Sequence, residues 1–141
     1  MKRLITVAVL VSGSLISLHA QEMSYGKTEF LNSCAACHGS GGKGDGPLAA
    51  ELRRVPTDLT LLAEKNGGEF PYRRVLATID GRYVVPGHGE RDMPVWGQQF
   101  LLSDKRIYGP DDGPVVTQAR IHELATFIES LQSSRNEGAV P

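Results

Sequence analysis

Residues 33–39 read S-C-A-A-C-H-G, and Cys34 and Cys37 are the only cysteines in the chain. Two thiols three apart, with His38 beside the second, admit three kinds of chemistry. The thiols could cycle as a disulfide, supply half of a structural zinc site, or anchor a covalent cofactor that the imidazole then ligates. Thiol–disulfide exchange at this spacing normally sits where a strand feeds a helix in an α/β fold, and no alternating strand pattern occurs here. A structural zinc site needs four ligands, usually with a second pair at similar spacing. His88 and His122 are lone residues at unrelated spacing. The third chemistry uses every residue, because C-x-x-C-H is the attachment sequence of c-type haem. Two thiols add across the vinyl groups as thioethers, and the adjacent histidine ligates iron. Ala35 and Ala36 are small enough for the peptide to lie against a macrocycle.

The elements that position this motif begin after an N-terminal stretch of a different kind. Lys2 and Arg3 precede fifteen uncharged, mostly apolar residues, and a polar sequence starts at Gln21. This is the order of a secretory signal peptide, so residues 1–20 are expected to be cleaved after Ala20. Leu18 at position −3 is imperfect for cleavage, and a retained anchor is the alternative. The apolar run is, however, shorter than the roughly 20 residues that span a bilayer. An exported chain suits c-type haem, which is attached outside the bacterial cytoplasm. Without residues 1–20, thirteen basic and sixteen acidic residues remain, a net charge of −3. Nucleic-acid binding demands concentrated basic charge, so none is expected. One domain over 21–141 is expected, with 133–141 as a disordered tail.

Helical signals dominate the rest. Residues 24–33 read as a short helix delivering Cys34, with Gly26 and Phe30 on one face. Residues 39–47 hold five glycines and a proline and form a loop. A short helix follows Thr57 or Asp58 as cap and ends at Gly67. Another starts at Pro71, ends at Gly81, and carries the stripe Tyr72, Val75, Leu76 and Ile79. Residues 82–114, with five glycines and four prolines, read as mostly irregular. The strongest helix runs from about Val116 to Gln132, with Ile121, Leu124, Ala125, Ile128 and Leu131 as its apolar stripe. The expected class is all-α, with long loops. Aromatic residues make up only 6% of the chain, which leaves room for a large apolar cofactor in the core.

On these residues the chain resembles the class I, single-haem cytochromes c of bacteria, from about Tyr25 to Gln132. The resemblance implies a small all-α fold wrapped around one covalently bound haem c, with first and last helices crossing. Gly26 and Phe30 would meet Leu124 and Phe127 at that crossing. It implies His38 as one axial iron ligand and Met93, in R-D-M-P-V-W-G, as the other, with Pro94 stiffening the loop. His88 is the competing ligand, and a bis-histidine site would lower the reduction potential. Met23 lies too close in sequence to the His38 side, and His122 falls on the wet face of the last helix. The carbonyl of Pro47 would accept the Nδ1–H of His38 and orient the ring. Tyr72, Arg73, Arg74, Tyr83, Arg91 and Trp96 are candidates for contact with the haem propionates, and sequence does not rank them.

The function these features imply is a periplasmic one-electron carrier, Fe(III)/Fe(II), serving a dehydrogenase, reductase or oxidase by transient docking. No catalytic residue and, after cleavage, no membrane contact is expected. The alternative is a haem enzyme or gas or peroxide sensor in which Met93 dissociates, with His88 and Arg91 nearby. A thiol–disulfide oxidoreductase is the remote alternative. Residues 101–114 read as an insertion before the last helix, a candidate docking element.

Overall fold

In the computed structural model, residues 25–82 and 95–132 are described. The expected signal peptide, the 133–141 tail and the residues Tyr83, His88, Arg91 and Met93 lie outside them. Helix α1 occupies 25–33, and α2 is the single turn Ala35–His38. Short 3-10 turns at Ala49–Glu51 and Leu59–Leu61 precede α3, Leu62–Lys65. Helix α4 is Tyr72–Asp80 and α5 is Trp96–Ser130. Among the described residues there is no strand, so the expected all-α class is the observed one. None of these helices is long and apolar enough to cross a membrane.

The core forms where α1 crosses the far end of α5. Phe30 and Leu124 are fully buried, and the Phe30 and Phe127 rings lie 5.2 Å apart. Gly26 makes the crossing close. A Cβ there would run into the Glu123 carbonyl oxygen and come within 3.0 Å of Phe127 Cβ. Helix α4 packs its stripe on the same core, burying Val75 and Ile79. Its C-terminus closes on Gly81 in the left-handed conformation, φ 84°. The Tyr72 hydroxyl ties its first turn to Thr126 on α5, 3.2 Å away.

Asp58 caps the turn before α3, where its carboxylate accepts from the Thr60 amide at 2.9 Å and hydroxyl at 2.7 Å. The Thr60 hydroxyl bond above all holds this carboxyl below its ordinary 3.8. A depressed acid stabilises the fold above its ordinary value and stops doing so as pH falls through the lower one. Asp58→Ala should therefore cost about 0.5–1 kcal/mol at neutral pH, in line with other caps. Urea titrations at pH 7 and pH 3 should show the difference shrinking at the acid end.

The segment expected to be irregular is the main correction. Residues 101–114 are helical, and α5 begins twenty residues before Val116, broken only at Gly109 (φ 89°, ψ 172°). Phe100 lies against Arg120, Asp104 against Thr117, and Lys105 against Gly113. These pairings run in opposite directions, so the arms before and after Gly109 form an antiparallel helical hairpin. The first arm escaped sequence reading because its buried face is Gly97, Phe100 and Asp104. A charge at the third position breaks the apolar stripe. Pro110 then falls at the start of the second arm, where a missing N–H costs nothing.

Candidate functional site

The cysteine motif folds as one helical turn leaving α1. The Cys34 amide donates to the Phe30 carbonyl at 2.8 Å, and the His38 amide donates to the Cys34 carbonyl at 2.9 Å. Residues four apart on a helix share a face, so Cys34 and His38 look into the same space. Cys37, half-buried on that turn, stands one position round from them.

That space is a cleft of about 310 Å³. Phe30 and Cys34 close one side, Val75, Thr78 and Ile79 of α4 another, and Leu59 and Leu62 a third. Trp96 and Ile128, from the two ends of α5, complete it. Gln132, just past α5, holds the Leu59–Ala63 wall. Its side chain accepts from the Ala63 amide at 2.9 Å and donates to the Leu59 carbonyl at 2.7 Å.

His38 is buried, and its Nδ1 lies 3.0 Å from the Thr57 carbonyl oxygen. A carbonyl can only accept, so Nδ1 carries the proton of the neutral ring and Nε2 carries the lone pair. This is the tautomer of a metal-ligating imidazole whose orientation a backbone carbonyl sets. The acceptor corrects the one implied by the resemblance, the Pro47 carbonyl. The Gly46 and Leu48 amides donate back to the Cys37 and Ala36 carbonyls at 3.1 and 2.9 Å, and Pro47 between them is exposed. Gly46 permits that return, since a Cβ there would lie 2.5 Å from the Ala36 carbonyl oxygen. Meanwhile the Leu59 amide donates to the Gly42 carbonyl at 2.7 Å. This bond draws residues 56–58 against the glycine loop and brings Thr57 to the ring.

The electrostatics of the cleft divide by height. Its walls are largely apolar, and the two charged side chains lining it, Lys65 and Arg74, are both exposed cations. Among the described residues no carboxylate lines it. Of the candidates for contact with propionates, Arg74 and Trp96 reach the cleft and Tyr72 and Arg73 do not. Lys65, which sequence reasoning missed, joins them. No local signal marks it, since α3 is a single turn.

Burial, then Glu29 and Cys37, pushes the Cys34 thiol up to about 12. Exchange enzymes need a lowered thiol pKa, so the site argues against thiol–disulfide chemistry. It suits instead a flat apolar group with acidic edges. The Cys34 thiol and the His38 imidazole line one side of the cleft, with Cys37 on the same turn but outside the lining. Apolar side chains make most of the walls, and the exposed cations Lys65 and Arg74 complete it. Haem c has this make-up, and Cys34, Cys37 and His38 stand in the order of its attachment sequence.

The comparisons with known proteins agree. The family model for cytochrome c matches residues 23–132, more than three quarters of the chain. No curated protein and no solved structure matches it. The helix crossing, the one-turn placement of Cys34, Cys37 and His38, and this match together identify the chain as a member of the cytochrome c family, haem-based electron-transfer proteins.

Proposed function

We propose that this protein is an exported, periplasmic one-electron carrier with a single haem c held between His38 and Met93. It passes electrons to or from a dehydrogenase, reductase or oxidase by transient docking. The observation that carries this reading is the His38 ring, buried in the cleft beside Cys34 with Nδ1 committed to the Thr57 carbonyl at 3.0 Å. When bound, the haem supplies the Fe(III)/Fe(II) couple.

The chain does the rest. Cys34 and Cys37 would hold the cofactor through thioether bonds, and His38 would present Nε2 to its iron. Phe30, Leu62, Val75, Ile79 and Ile128 exclude water from the faces. A low-dielectric pocket with a thioether donor disfavours extra positive charge and raises the potential. Arg74 and Lys65 offset the acidic edge of the cofactor. Met93 precedes the cleft residue Trp96 by only three positions in the sequence, which supports its choice as the second ligand. With both His38 and Met93 as ligands the iron would have no open position for a substrate, which would suit a carrier better than an enzyme or sensor.

Met93→Ala tests the ligand set. The oxidised protein should show the weak far-red charge-transfer band of methionine-ligated iron. The variant should lose that band, fall in potential and bind carbon monoxide. A variant spectrum identical to wild type rejects Met93 as ligand.

A further inference from the structure

We propose that Arg120, clamped by the buried Asp104 and reaching Glu29, is a positioning residue that fixes the haem-attachment turn at Cys34 against the Trp96 wall of the cleft. The three charges come from three helical segments. Asp104 is only 1% exposed, on the first arm of α5, and its Oδ1 accepts from Arg120 Nη1 at 2.7 Å. Its Oδ2 accepts from the Thr117 hydroxyl on the second arm at 2.9 Å. Arg120 Nη2 donates to Glu29 Oε2 on α1 at 2.9 Å. Glu29 Oε1 in turn accepts from the Ser33 hydroxyl at 2.6 Å, beside Cys34.

The spacing links this network to the cleft at both ends. On α1, Glu29 and Ser33 form one stripe, and Phe30 and Cys34, which line the cleft, form the next. On α5, Trp96, Phe100 and Asp104 follow at four-residue intervals on one face. The Trp96 and Phe100 rings lie 5.5 Å apart, and the Arg120 guanidinium sits 4.0 Å from the Phe100 centroid. One planar cation therefore holds Asp104, Phe100 and Glu29 at once. A guanidinium can serve two carboxylates from fixed directions, where an ammonium is a point charge on a flexible stem. The crossing at Gly26 sets how closely α1 approaches the second arm, and the guanidinium fixes the distance from α1 to the first arm, which carries Asp104 and Trp96.

Trp96 reports that distance, because it is the only tryptophan in the chain and it lines the cleft. Bound haem quenches indole emission by energy transfer, which falls steeply with separation. The inference rests on the covalent-haem reading, so the experiment uses holo-protein that retains its haem after denaturation. Loss of haem at that step overturns the earlier reading and not this one.

Glu29→Ala removes the tether to α1 and leaves Asp104 paired with Arg120. It should raise Trp96 emission severalfold at temperatures well below unfolding. Glu29→Gln keeps one acceptor, its amide oxygen, for Arg120, while its amide N–H can donate to the Ser33 hydroxyl oxygen, and it should restore the wild-type emission. Arg120→Met should raise emission at least as far. If Arg120→Met does not fold, the Glu29 pair decides. Wild-type emission in Glu29→Ala, whatever its melting temperature, would overturn the positioning role.

Discussion

Gly26→Val should separate the two crossing helices and remove a large part of the protein's stability. The new Cβ would meet the Glu123 carbonyl, which belongs to the backbone of α5 and cannot rotate away. Phe127 Cβ, 3.0 Å away, closes the other direction. Only a shift of α1 as a whole relieves the clash. That shift draws the Phe30 ring from Phe127 and moves Cys34, one turn further on, relative to the cleft. Overpacking a closed contact costs about 1–3 kcal/mol, and here the loss of the neighbouring core adds to it. A total near 4 kcal/mol, read by urea unfolding of the holo-protein, is the expected result. Gly26→Ala should already cost about half as much, since the first added carbon makes the contact. A melting temperature within about 3 °C of wild type in either variant would show that the crossing can relax.

Phe30→Ala should cost about 3–5 kcal/mol, the usual range for a buried aromatic ring. The side chain is fully buried, packs on Phe127 and lines the cleft beside Cys34. Its loss therefore opens a void continuous with the cofactor space, and the effect reaches function as well as stability. Water admitted beside the bound group should lower the reduction potential, because a higher local dielectric eases the extra positive charge of the oxidised state. Phe30→Leu, which refills most of the volume, should regain most of the stability and most of the potential. A potentiometric titration of the two variants separates the effects. An unchanged potential in a strongly destabilised Phe30→Ala would show that the ring matters to the core alone.

Arg120 illustrates a different kind of stabilisation. Desolvation opposes its charge, yet Glu29 and Asp104 together hold the guanidinium above its ordinary pKa. A buried ion pair of this kind contributes little against an apolar replacement of the whole set, but breaking it leaves a buried charge exposed to no partner. The gain lies in geometry, which is why the hairpin tolerates an aspartate at a core position.

Some of this protein was legible in its sequence because the relevant contacts are local or periodic. One turn of backbone joins Cys34 to His38, and four-residue spacing sets Gly26 with Phe30, so motif and crossing face needed no knowledge of the rest. Likewise the stripe on α4 and the second arm of α5 follow from 3.6-residue periodicity. Other features depended on which distant segments meet. Thr57 rather than Pro47 orients His38, because hydrogen bonds from the glycine loop decide which carbonyl reaches the ring. Arg74, Trp96 and Lys65 share the cleft although 31 positions separate the outer two, a selection made by packing α4 and the Leu59–Leu61 turn that leads into α3 on α5. The first arm of α5 hid behind Asp104, a charge whose burial makes sense only once Arg120 lies against it. Spacing along the chain determined which groups could do chemistry here. Only the tertiary fold, by closing loops across dozens of residues, decided which neighbours hold them in place.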